Sequence, residues 1–137
     1  MSYIAVKRGR KPLLPFNLFC YGQWRMQQPI ESHLIYITAA SLKEAEQIAR
    51  DLVTCRLVAC ANVIDPVRSF YWWQGEVKNN NEALVIAKTQ AACVDAVIAR
   101  VKKIHSYDCP GIVAWPLGAG NPDFLDWIAQ ETKAGED

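Results

Sequence analysis

"VACANVIDPVRSFYWWQGEV", residues 58–77, and "EALVIAKT", residues 82–89, are two β-rich runs separated only by "KNNN" at 78–81. Asn-rich polar residues are turn chemistry, so the two runs read as the strands of an antiparallel hairpin. Pro66 cannot donate a ladder hydrogen bond, so a bulge or an edge position is expected there. Trp72 and Trp73 are neighbours on a strand and must face opposite sides. Packing is the expectation for at least one of them, and Trp73 is a candidate to line a cleft.

The hairpin sits between two helical patterns. Upstream, "SLKEAEQIARDLVTCRL" begins at Ser41, and Ser41 with Glu44 forms the S-x-x-E signature of a capped helix start. Apolar residues follow at 42, 45, 48, 49, 52 and 53, which is helical spacing. Downstream, positions 94, 97, 98, 101 and 104 repeat that spacing. "HLIYITA" (33–39) and "GIVAWPL" (111–117) read as the outer strands. Asn121 before Pro122 starts a short last helix, with Phe124, Leu125 and Ile128 on its apolar side. The order β-α-β-β-α-β is the α+β, ferredoxin-like split arrangement, with two helices on one face of an antiparallel sheet. The other face has no helix to cover it, and the aromatic hairpin Phe70–Trp73 would sit partly exposed. Such surface marks an interface, so self-association is expected.

Composition excludes several functions. The chain has 137 residues, 51% hydrophobic and 21% charged, which suits one domain, with no apolar run long enough to cross a bilayer. Residues 1–30 hold five basic side chains and no acid, and the remaining 107 hold ten basic and fourteen acidic ones. That body is mildly acidic and a poor nucleic-acid binder. Residues 1–31 read as an N-terminal extension outside the fold, with Met26 as an alternative start; Pro12 and Pro15 suit a secretory signal badly. The domain is expected over 32–137. Five cysteines without close CxxC pairs argue against a disulfide framework or a zinc ribbon and for reduced thiols in the cytoplasm. Cys55 and Cys93 read as small core fillers of the two helices. No G-x-S-x-G, P-loop or H-E-x-x-H is present, so an enzyme is not expected.

"KKIHSYDCPGIVAW" (102–115) concentrates the chemistry: His105, Tyr107, Asp108 and Cys109 within five positions. His105 reads either as a helix-end residue bonding nearby carbonyls or as a ligand of copper or another divalent metal. Its partners would be Cys109, Asp108 or Cys60. Cys109 precedes Pro110, which disfavours helix there and so a helical His–Cys chelate. Tyr107 and Asp108 either tie the turn to neighbouring strands or enter a cleft. Lys88, at the end of an apolar strand, needs a partner or water.

With "LVACANVIDPVRSFYWWQGEV", "EALVIAKT", "IHSYDCPGIVAWPL" and "NPDFLDWI" in order over about residues 33–131, the sequence resembles the CutA family of divalent-cation tolerance proteins. The resemblance implies a cytoplasmic homotrimer of ferredoxin-like subunits linked to copper and other divalent metals. It also implies an architecture similar to the PII signalling trimers, which bind small molecules between subunits. A cleft built from Lys88, Tyr107, Asp108 and Trp73 and a metal set of His105, Cys60 and Cys109 follow from it. The alternative to metal is a small anion or a partner protein in that cleft. The sequence departs from the family pattern at Ser106 for Pro, Asp108 for Glu and Gly111 for Glu. Ile37 stands where some relatives have Cys, and Ile104 where some have a second His. Cys60 is kept. Copper binding is therefore expected to be weak.

Overall fold

The structure, a computed structural model, describes residues 30–134. The expected extension at 1–31 therefore lies almost wholly outside the described residues. Eight elements follow one another: β1 (Ser32–Ala39), α1 (Leu42–Thr54), β2 (Cys60–Trp73), β3 (Glu76–Gln90), a single 3-10 turn (Ala91–Cys93), α2 (Val94–Ile104), β4 (Ile112–Pro116) and α3 (Pro122–Glu131). The four strands form one antiparallel sheet in the order β2-β3-β1-β4. This is the expected α+β, ferredoxin-like arrangement.

Helix α1 starts where its sequence says. The Ser41 hydroxyl accepts from the Glu44 amide at 3.2 Å, and Glu44 Oε2 accepts from the Ala40 amide at 2.8 Å. Two backbone donors at the helix start are thereby satisfied. Beyond Thr54 and the C-cap Cys55 the chain turns at Arg56, a non-glycine residue with φ 58. That left-handed turn is held by two contacts to the chain end. Arg56 Nη1 pairs with Glu131 Oε2 at 2.6 Å, and the Arg56 carbonyl accepts from the Lys133 amide at 2.9 Å. Helix α3 begins as read, with the Asn121 side chain accepting from the Asp123 amide and Pro122 in the first turn.

Burial follows strand alternation. Ile35, Ile37 and Ala39 of β1 and Ala83, Val85 and Ala87 of β3 point to the helix face. There they meet Ala45, Ile48 and Leu52 of α1 and Val97 and Val101 of α2. These fully buried aliphatic side chains supply the apolar burial that drives folding. The opposite face carries Ile64, Val113 and Trp115, all substantially exposed. Trp115 lies beside Tyr36 at a ring-centroid separation of 6.5 Å.

Two expectations need correction. "KNNN" is not the hairpin turn. β3 already runs through it, and the chain reverses at Gln74 (φ 49) and Gly75 (φ 79). A two-residue turn with positive φ at both centres matches the twist of the flanking strands, and glycine takes that backbone without strain. The hairpin is therefore longer than the polar residues suggested. Cys55 is not a core filler: it caps α1 and is exposed, whereas Cys93 is buried.

The break at Pro66 is a bulge on an edge strand. Ile64 pairs with Leu84 and Val67 with Glu82, so β2 carries one extra residue and the Asp65–Pro66 peptide is cis. The extra residue reverses which side chains of β2 face which way. Before it, Cys60, Asn62 and Ile64 lie on the uncovered face; after it, Ser69, Tyr71 and Trp73 do. Phe70 and Trp72 turn to the other side, 69% and 75% exposed. Among the described residues no helix is long and apolar enough to cross a membrane.

Candidate functional site

The end of α2 places the site. His105 is the C-cap of that helix, with its amide donating to the Val101 carbonyl, and residues 106–109 bend away from it. Its side chain is fully buried. Nδ1 accepts from the Tyr107 amide at 3.0 Å, so Nε2 carries the proton and donates to the Thr38 carbonyl at 2.8 Å. The ring thus fastens the bend 106–109 to the end of β1.

Glu44 fastens it a second time. Its Oε1 accepts from the Ser106 amide at 2.7 Å, while Oε2 holds the helix start. Partial burial pushes this carboxyl up, but the hydrogen bonds from Ser106 and Ala40 outweigh it and hold the group below its ordinary value. The loop then closes on β1 through the Gly111 carbonyl, which accepts from the Thr38 amide at 3.2 Å. A Cβ at Gly111 would stand 3.0 Å from Thr38 Oγ1, so glycine lets the two segments lie this close.

This bend forms one wall of a cavity of about 700 Å³. The other wall is the hairpin beyond the bulge, through Tyr71, Trp73, Asn80 and Glu82. The Tyr107 hydroxyl reaches across and donates to Glu82 Oε2 at 3.3 Å. Burial pushes the Tyr107 phenol up, and the neighbouring Glu82 carboxylate adds to the effect. Asn80 Nδ2 donates to the Tyr71 hydroxyl at 2.6 Å. Glu82 and Asp108 are the charged side chains of the lining, and no basic side chain is among them.

The structure brings Trp73, Tyr107, Asp108 and Cys109 to this cleft. It places Lys88 and Cys60 elsewhere. Those two are paired across β3 and β2, four residues along β3 from Leu84, the partner of Thr38 at the cleft. Four residues of strand are about 13 Å. There Lys88 Nζ donates to Asn62 Oδ1 at 2.9 Å, which answers its need for a partner. Burial raises the Cys60 thiol above its ordinary value, with Lys88 opposing, so the thiolate that a metal requires is disfavoured. His105 has both nitrogens committed to backbone partners. The three expected metal ligands are therefore not gathered at one place. Among the described residues no group of three or more His, Cys, Asp or Glu side chains is disposed to hold a metal ion.

Glu82, Asn80 and Tyr71 were not singled out from the sequence. The signal was the Gln-Gly pair at 74–75: taking it as the turn would have put Asn80 and Glu82 opposite Ser69 and Val67.

Residues 33–131 match the family model of the CutA1 divalent ion tolerance protein. The divalent-cation tolerance protein CutA of Archaeoglobus fulgidus is 45% identical over 96 residues, covering 70% of this chain and 93% of its own. The chloroplastic CutA 1 of Oryza sativa is 33% identical over 104 residues, and this chain spans only 59% of that longer protein. Among solved structures, the divalent cation tolerance protein of Thermus thermophilus superposes with a TM-score of 0.73 at 39% identity, covering 74% of this chain and 99% of that one. CutA1 of Oryza sativa superposes at 0.76 and 32% identity, covering 78% and 98%. The family model matches nearly all of the described residues and the solved relatives superpose over about three quarters of the chain, so the chain belongs to the CutA1 divalent ion tolerance family.

Proposed function

We propose that this protein is a homotrimer that takes copper or another divalent cation weakly into the cleft between the 106–111 bend and the β2–β3 hairpin. The observation that carries the reading is the charge of the cleft. Its lining offers the carboxylates of Glu82 and Asp108 and the thiol of Cys109, with no basic side chain. Carboxylate oxygen suits hard divalent ions and thiolate suits soft ones. Two carboxylates and a thiol are an incomplete set, and ligands from a neighbouring subunit would complete it. The exposed Ile64, Val113 and Trp115 on the uncovered sheet face and the exposed aromatic hairpin support the trimer. The role is binding rather than catalysis, in keeping with a family of ion tolerance proteins.

The alternative of a small anion in the cleft is less well supported, because Lys88 is bonded to Asn62 outside the lining. A cytoplasmic location belongs to the same proposal; the Archaeoglobus fulgidus structure is that of a protein described as periplasmic. The test is thermal unfolding of the purified protein with Cu²⁺ and, separately, with inorganic phosphate, since a ligand of the native state raises the melting temperature. The reading expects a rise with Cu²⁺ and none with phosphate. A rise with phosphate alone would transfer the function to the anion reading.

A further inference from the structure

The cleft is aromatic as well as acidic. Tyr71, Trp73 and Tyr107 line it together with Glu82 and Asp108. Glu82 is 9% exposed, and its one hydrogen bond is the 3.3 Å contact from Tyr107 to Oε2. Glu82 lines the cavity, and among the described residues no second side-chain hydrogen bond to its carboxylate is present. A carboxylate on the wall of a cleft attracts an entering cation more strongly than one on the open surface, because less water screens it. Lys78 lies on the same face of the hairpin but is ion-paired with Glu76 at 2.5 Å and is not part of the lining.

Aromatic rings are poor ligands for a small, strongly hydrated metal ion. They attract a large, weakly hydrated organic cation through the negative face of the ring. A cavity of about 700 Å³ is far larger than a bare metal ion needs and falls in the range of small-molecule sites. We propose that the cleft binds an organic ammonium ion, a quaternary or alkylated amine, with Trp73, Tyr71 and Tyr107 surrounding the charged group and Glu82 as its counter-ion. This inference shares with the preceding proposal only the cationic preference of the cleft and does not require a metal.

The test uses choline as the probe, with the neutral alcohol in which carbon replaces the ammonium nitrogen as its isostere. Both are titrated calorimetrically into the wild-type protein and into Trp73→Leu and Glu82→Gln. Choline is expected to saturate the wild type and to bind at least about tenfold more tightly than the alcohol. Each variant is expected to weaken choline about fivefold or more. Trp73 is 60% exposed in the single chain but lies on the face that the proposed trimer covers, so light scattering first checks that Trp73→Leu keeps the wild-type mass. Trp73→Phe, which keeps a ring, is titrated beside it and is expected to retain choline binding. Equal binding of the alcohol, unchanged choline binding in Trp73→Leu, or no saturable choline binding to the wild type overturns the proposal. Cu²⁺ titrated into the same proteins separates the two readings, because an indole offers a metal no lone pair. Loss of choline but not of Cu²⁺ binding in Trp73→Leu supports the ammonium site, whatever the wild-type affinity for copper.

Discussion

His105 Nε2 donates to the Thr38 carbonyl at 2.8 Å, joining the end of α2 to the end of β1 across the edge of the core. The bond makes this imidazole a fastening between backbone segments. Substituting His105→Ala would leave the Thr38 carbonyl and the Tyr107 amide without their partner and open a void. A loss of about 2–4 kcal/mol is expected in denaturant unfolding. Hydrogen exchange at the Tyr107 amide should accelerate with it. Unchanged stability would mean that the ring is dispensable to the bend and free for another role.

Glu44 gives the bend a pH dependence. Its folded value lies below the ordinary 4.5, so the carboxylate stabilises the native state above 4.5 and that contribution is lost as pH falls through the folded value. Glu44→Gln should lower stability at neutral pH and flatten the decline below that range. Urea unfolding at neutral pH and at about pH 3 checks this, since the wild-type and variant curves should converge in acid. A constant gap between them at both pH values would show that the charge of Glu44 contributes nothing.

Phe70 and Trp72 face away from the cleft and are largely exposed, so they do not support the core of one subunit. In the proposed trimer they and the uncovered sheet face are covered. Light scattering should give three times the 15.4 kDa chain mass for the wild type. The double change Phe70→Ser and Trp72→Ser should shift the population to smaller species. A monomer mass for the wild type would remove the intersubunit completion of the cleft.

The fold was legible because its devices are local. Ser41 with Glu44 marks a helix start, Pro66 a break in a strand, and the spacing of Ile35, Ile37 and Ala39 one buried face. The hairpin turn was misplaced because three successive asparagines look more like a turn than Gln-Gly does. Strand pairing with Phe70, Ser69 and Arg68 holds Asn79, Asn80 and Asn81 extended. The site was legible only in half. Residues within one short bend, Tyr107, Asp108 and Cys109, stay together however the chain folds. Lys88 and Cys60 required knowing the strand register, and one extra residue at the bulge decides which side chains of β2 reach the cleft. His105 could not be assigned because the Thr38 carbonyl that accepts its hydrogen bond is 67 residues away.

That the cleft is a cation site rests on Glu82 and Asp108, so calorimetric titration of Cu²⁺ into the wild type and into the double variant Glu82→Gln, Asp108→Asn tests it most directly. The account predicts weak, saturable binding to the wild type and its loss in the variant, with the oligomeric mass unchanged. Copper binding of the same strength in both proteins would contradict it and place the metal elsewhere on the molecule.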